Sequence, residues 1–382
     1  MICIRNGLVF DAVHEIPEKK DILINQGKIV KLGANLEVPA ECEIVEAEGL
    51  HVYPGFVDAH SHLGTIGSSI KFEGDDVNEM TDILTPHLRG IDCVEPMDVV
   101  FAEAREGGVT TVCVGPGSAN VVGGTFLAMK TVGKRVDDMV INDRVAMKCA
   151  FGENPKRCYK DKNNYSRMST AAKLRELLFK TQEYDAKIQA AGDDLSKKPP
   201  FDFKLEAMLP VIRREIPLKA HAHRADDIFT ALRIAKEFNV RITLEHVTDG
   251  SLIVEELAKE NVMLAVGPSF GHRTKFELKN KSFRTPGDLA NAGCHVSIIT
   301  DAPVIPQQYL RLCAGLAVKE GMKKFDALKA ITINAAEHAG VADRVGSIEV
   351  GKDADIVIMD GCLFESQSNV MATYIDGKKV FG

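Results

Sequence analysis

PGFVDAHSHLG, residues 54–64, is an apolar run that ends in His60 and His62. Side chains two apart on a β-strand leave the same face, so a strand here carries both imidazoles to one point. Such a pair can ligate one metal ion. The same triplet also occurs as surface or core histidines, so its meaning depends on the rest of the chain.

Outward from this segment, short apolar runs alternate with amphipathic ones. FVDAH (56–60), VTTVCVG (109–115), RVAMKCAFG (144–152), IPLKAHAH (216–223), RITLEHV (241–247), NVMLAVG (261–267) and HVSIITDAP (295–303) read as strands. Between several of them, VVFAEAREGG (99–108), DDIFTALRIAKEF (226–238) and SLIVEELAKE (251–260) carry the i, i+3, i+4 apolar spacing of helices. That rhythm is the pattern of a parallel sheet with helical crossovers. An eighth strand is expected within 126–140, and the span 54–345 then suits a (β/α)8 TIM barrel with insertions, ~250 residues being typical. VGPGSANVVGGTF (114–126) is expected to be a mobile loop near the site, and it is no Gly-x-x-x-x-Gly-Lys phosphate loop. The lysine-rich stretch 154–164 and GDDLSKKPP (192–200) flank an expected helix over 169–190, an elaborated loop after strand four that would cover the site.

The two ends of the chain read alike. ICIRNGLVF (2–10), DILINQGKIVKLG (21–33) and ECEIVEAEGLHVY (41–53) are short strands, with Asn6-Gly7 and Gln26-Gly27 marking hairpins. GSIEVGKDADIVIMDG (346–361) and MATYIDGKKVFG (371–382) repeat that texture. Residues 1–53 and 346–382 are therefore expected to form one discontinuous β-sandwich domain beside the barrel of 54–345.

The 382 residues are 45% hydrophobic and 26% charged, with a formal net charge of −7, which fits a globular protein and gives no sign of a nucleic-acid partner. No basic leader opens the chain and no apolar run reaches the ~18 residues of a membrane span, so a cytoplasmic protein without a membrane partner is expected. Nine cysteines stand singly, with no Cys-x-x-Cys, as reduced thiols do; neither a disulfide framework nor a cysteine zinc site is indicated.

In a TIM barrel the reactive groups gather at the C-terminal ends of the strands. Polar residues end or nearly end several apolar runs here: His60 and His62 on strand one, Lys148 on strand four, His221 on strand five, His246 on strand six and Asp301 on strand eight. Each alone has a structural explanation, such as a hydrogen-bonded core histidine, His246 paired with Glu245, an edge lysine, or Asp301 as a helix cap. All of those would have to hold together.

PGFVDAHSHLG, AMKCAFG, LKAHAHR, TLEHVTDG, SIITDAP and the tail ITINAAEHAGVADRVGSIEVGKDADIVI (331–358) together resemble the amidohydrolase superfamily, near the group related to imidazolonepropionase, dihydroorotase-type enzymes and isoaspartyl dipeptidase. The resemblance covers nearly the whole chain and implies an α/β fold, a distorted TIM barrel with a small β-sandwich. It implies one or two divalent metal ions, zinc or similar: His60, His62 and Asp301 at the more buried ion, His221 and His246 at the second. Lys148 would bridge them as a carbamate formed with carbon dioxide, a role that burial favours by lowering the lysine pKa; Glu153 is the alternative bridge. Asp301 would be the general base and acid in hydrolysis of a C–N bond: an amide, a cyclic amide or a dipeptide-like bond. Two alternatives stay open, a mononuclear deaminase of the same fold, which needs no strand-four bridge, and a non-catalytic barrel scaffold. The substrate is expected to be a small molecule, with His223, Arg167, Arg224, His272 and Arg273 available to hold a carboxylate. The resemblance further implies a homo-oligomer.

Overall fold

The fold is described from a computed structural model over residues 1–68 and 71–382. Five strands precede the barrel: β1 (Ile2–Val9), β2 (Glu18–Asn25), β3 (Lys28–Gly33), β4 (Glu43–Glu46) and β5 (His51–Pro54). The barrel strands are β6 (Phe56–Ser61), β7 (Val109–Val114), β8 (Val122–Lys130), β9 (Val140–Ala150), β10 (Leu218–Ala222), β11 (Ile242–His246), β12 (Leu264–Val266) and β13 (Val296–Ile298). After them come β14 (Ile356–Met359), β15 (Val370–Ile375) and β16 (Lys378–Phe381).

The barrel sheet runs β13-β12-β11-β10-β9-β8-β7-β6. β6, β7, β8 and β10 are buried along their whole length, as strands covered on both faces must be. The seam between the first and last strands is drawn together by backbone bonds from the His62 N–H to the Ala302 carbonyl, 2.8 Å, and from the Asp301 N–H to the His60 carbonyl, 3.3 Å. His60, His62 and Asp301 are thereby neighbours through the backbone itself.

One strand departs from the expected parallel order. β8 pairs antiparallel with both β7 and β9. A parallel return needs a crossover of about a dozen residues or more, and only 115–121 separate β7 from β8; the chain has to turn back on itself. The glycine-rich run 114–126 is accordingly a loop only over 115–121, and Val122–Phe126 begin a buried strand. The eighth strand lies there, reversed.

The terminal strands form one branched sheet, β16-β15-β14-β5-β1-β2-β3, with β4 also on β1. β14 pairs antiparallel with β5, which joins the two ends of the chain. Ile4, Ile22, Ile24, Val52, Ile356 and Ile358 share its apolar core. Gln26-Gly27 is the hairpin between β2 and β3, with φ of 50° and 79°. Asn6-Gly7 makes no hairpin: Asn6 sits inside β1 at φ 59°, where the register with β2 shifts, and marks a bulge. β1 pairs β4 over Ile2–Arg5 and β5 over Leu8–Val9, so the bulge falls where the strand changes partner. A Cβ on Gly7 would lie 2.5 Å from Val52 Cγ2, which is why glycine stands there.

The two sheets meet over buried charge. Lys130, at the end of β8, lies 2.6 Å from Asp355 and 3.1 Å from Asp353, which also binds Arg344 at 2.8 Å. The Gly-Lys-x-Ala-Asp tail supplies both carboxylates, since a buried ammonium needs such partners.

A helix runs Arg167–Ala191 with a capping box between Ser166 and Ser169, and Ala225–Phe238 is a second long helix. In SLIVEELAKE only Val254–Leu257 is α-helical. All nine cysteines are free thiols. Among the described residues no helix is long and apolar enough to cross a membrane.

Candidate metal centre

At the C-terminal ends of the barrel strands two groups of side chains converge: His60, His62 and Asp301, and His221, His223 and His246. In each group the potential ligand atoms lie within 4.8 Å of one another. The rings of His60 and His246 are 5.1 Å apart, so the two groups adjoin. Two of these residues owe their direction to unusual backbone: His246 at φ 75° and Asp301 at φ 55° leave the extended conformation just where their strands end. Non-glycine residues adopt this region at a cost of about 1–3 kcal/mol and persist only when their surroundings enforce it.

Hydrogen bonds fix the tautomers. The Nδ1–H of His62 donates to the Gly115 carbonyl at 2.7 Å, and that of His246 to the Gly267 carbonyl at 2.8 Å. His60 Nδ1 faces Glu245 Oε2 at 2.8 Å, and a carboxylate only accepts. Each ring therefore turns a bare Nε2 lone pair toward the centre. Burial, helped by the neighbouring Lys148, pushes His60 down to about 3, and burial likewise holds His221 and His246 well below the usual imidazole range, so these rings are neutral at pH 7.

Those lone pairs face an anion. Asp301 Oδ1 is 3.2 Å from His62 Nε2 and 3.6 Å from His60 Nε2. Burial alone would raise Asp301, but in acid, as His246, His62 and His60 take up protons, these rings hold its carboxyl well below the usual range. Lone pairs and a carboxylate crowded into one buried space repel one another unless a cation lies among them. Ligand bonds of ~2.0–2.2 Å around a tetrahedral zinc put neighbouring donors ~3.3–3.5 Å apart, and these separations match that spacing. The residues fit a divalent ion.

Lys148 is fully buried, with Nζ 3.1 Å from His60 Nε2. Burial, against the opposing pull of Asp301 and Glu245, pushes its ammonium down to about 8. It is no edge lysine.

Comparisons with known proteins identify the family. A model of the "Amidohydrolase family" matches residues 51–380. The chain belongs to the amidohydrolase family. Along the full length of both chains it is 40% identical to an amidohydrolase of known crystal structure from Thermotoga maritima MSB8, with a TM-score of 0.96. It is 27% identical to the amidohydrolase tasK of Hapsidospora irregularis over 94% of this chain, spanning 40% of that relative's length. With the imidazolonepropionase of Symbiobacterium thermophilum it shares 25% identity over 87% of this chain and 82% of that one.

This amidohydrolase chain has a buried support beneath the candidate ligands that sequence reading did not single out. Glu245 pairs with the Lys219 ammonium at 2.8 Å and accepts from His338 at 2.9 Å and from Thr243 at 2.7 Å, besides holding His60. Burial would raise it, but Lys219 and His338 keep Glu245 well below the usual carboxylate range. Lys219 also donates to the Ala59 carbonyl at 2.9 Å, tying β10 to β6. Lys219 and His221 on β10 and His223 just past its end follow one another at the two-residue period, and that period is the available clue.

The candidates for substrate contact are dispersed. Arg167 is clamped on Asp227 at 2.9 Å, and Arg224 on Asp226 at 2.9 Å. His272 and Arg273 are exposed, the latter donating to the Lys281 carbonyl at 3.1 Å. His223 is buried beside His221, its Nδ1 2.7 Å from Thr248 Oγ1. Glu153 opens the short helix Glu153–Cys158, and its backbone N–H donates to Glu277 Oε2 at 2.9 Å; it joins neither ligand group.

Gly152 makes that approach possible. It sits at φ 81°, and a Cβ there would lie 2.7 Å from Glu277 Oε2. Gly152→Ala is expected to destabilise the protein by about 1–3 kcal/mol, from left-handed strain together with displacement of Glu277, as read from denaturant midpoints. An unchanged midpoint would contradict this packing.

Proposed function

We propose that this protein is a metal-dependent hydrolase of C–N bonds in small molecules, acting on an amide, a cyclic amide or a dipeptide-like bond. One observation carries the reading: three imidazoles, each pinned through Nδ1, aim bare Nε2 atoms into a buried space shared with the Asp301 carboxylate. His60, His62 and Asp301 would hold one divalent ion, and His221 and His246 a second. Zinc suits this donor set. When bound, such ions supply Lewis-acid activation of water and of the scissile carbonyl.

The chain's own groups do the rest. Asp301, ionised at neutral pH, takes a proton from the attacking water and returns it to the leaving nitrogen. Glu245 keeps the proton of His60 on Nδ1, so that Nε2 stays a donor of its lone pair. Lys148 is suited to bridge: lowering its pKa to about 8 raises the share of neutral amine at pH 7. Neutral Nζ can attack carbon dioxide, forming an N–C bond and releasing one proton, and the resulting carbamate has two oxygens to offer. The buried, ligand-facing place of Lys148 favours this reading over a mononuclear deaminase, and an intact ligand set favours it over a scaffold.

Dialysis against a chelator is expected to abolish hydrolysis across a panel of N-acyl amino acids, dipeptides and cyclic amides, and zinc is expected to restore it with up to two ions per chain by elemental analysis. Protein treated with 13C-bicarbonate should show a carbamate carbon resonance that Lys148→Met lacks. Undiminished hydrolysis by metal-free protein would sink the proposal.

A further inference from the structure

A buried carboxylate stands beside the second group of histidines, and nothing in the reading above uses it. Glu277 is 2% exposed and lies on the short turn Phe276–Leu278 after β12. Its Oε2 is held by the Glu153 N–H at 2.9 Å, while Oε1 has no hydrogen-bond partner at all. Three groups surround that oxygen: His223 Nε2 at 3.7 Å, His221 Nε2 at 3.9 Å and Lys275 Nζ at 3.7 Å. All three are beyond hydrogen-bond reach.

His221 is in the same condition. It too is buried, and neither of its ring nitrogens has a partner. Orphaned buried polar atoms cost about 1–3 kcal/mol each, so finding them on both sides of one gap marks a place meant for something else. A cation in that gap would give Glu277 Oε1, His221 Nε2 and His223 Nε2 a common partner, beside the ring of His246.

We propose that Glu277 is a ligand of the second metal ion, completing a site of carboxylate and imidazole donors with His221, His246 and His223. This rests on the reading of the strand ends as a metal centre. Imidazole and carboxylate are both donor types that zinc accepts. The carboxylate arrives pre-oriented, because the Glu153 N–H fixes Oε2 and the missing side chain of Gly152 gives the carboxyl room. The rival is that Glu277 only balances the charge of Lys275.

Zinc titrated calorimetrically into the chelator-stripped full-length protein separates these. Wild type is expected to bind two ions, Glu277→Gln to weaken one of them by about 100-fold and spare the other, and Lys275→Met to leave both affinities as they are. Anomalous diffraction from zinc-soaked wild-type crystals, which needs no variant to fold, should place an ion within ~2.2 Å of Glu277 Oε1. Two ions bound as tightly by Glu277→Gln, a Lys275→Met variant weakened like Glu277→Gln, or a second ion out of reach of Glu277 would each overturn the proposal alone. Wild-type protein that takes up no zinc would overturn the metal-centre reading as well.

Discussion

Replacing Asp301 with Asn is expected to lower kcat on the order of 10³-fold or more while zinc remains on His60 and His62. Asn keeps the shape and one carbonyl oxygen, so a ligand position survives; what is lost is an atom able to take a proton from water and give it to the leaving nitrogen. The imidazoles cannot substitute. Their Nδ1 protons are committed to Gly115, Gly267 and Glu245, and the neutral rings resist protonation because they are buried. Calorimetric zinc binding beside steady-state kinetics of the same variant checks the point. Turnover within tenfold of wild type would remove Asp301 from the proton path.

The second large effect belongs to stability. Glu245→Ala strips the partner from Lys219, which is 1% exposed, and from His60 and His338 at once. A buried charge left unpaired costs about 3–5 kcal/mol, and chemical denaturation should show a loss of that size. Zinc affinity should fall about 10–100-fold as well, since His60 loses the group that sets its tautomer. The double variant Lys219→Met with Glu245→Leu removes both charges and is expected to recover much of the stability but not the zinc affinity. A cost below about 1 kcal/mol for Glu245→Ala would mean that the buried network is not the support described here.

How far such features can be read in advance depends on the range of the cause. Seven barrel strands are legible because each is a short apolar run, and the groups at their ends stand out because polar residues interrupt that run. β8 was harder to see. Its glycines, Gly123 and Gly124, look like loop residues, and only the shortness of 115–121 argues that the chain doubles back. Asn6-Gly7 looks like a hairpin because the dipeptide suits left-handed backbone; a bulge uses the same property, and which one forms depends on whether β1 finds β4 and β5 beside it.

At the site the same division holds. His60, His62, Lys148, His221, His246 and Asp301 could be named as candidates from their places on the strands. Glu245 and Glu277 could not, and Arg167 was a fair candidate until Asp227 claimed it.

By itself, then, the sequence determined seven barrel strands in the middle of the chain, matching strand-rich ends, and the polar side chains that end several of those strands, because apolar periodicity and turn chemistry act within a few residues. Only the tertiary structure decided the direction of β8, the clasp of Glu245 on His60 and the gap beside Glu277. Those depend on strand register and on which distant side chain reaches a given buried atom first, and neither is encoded in any short stretch of the chain.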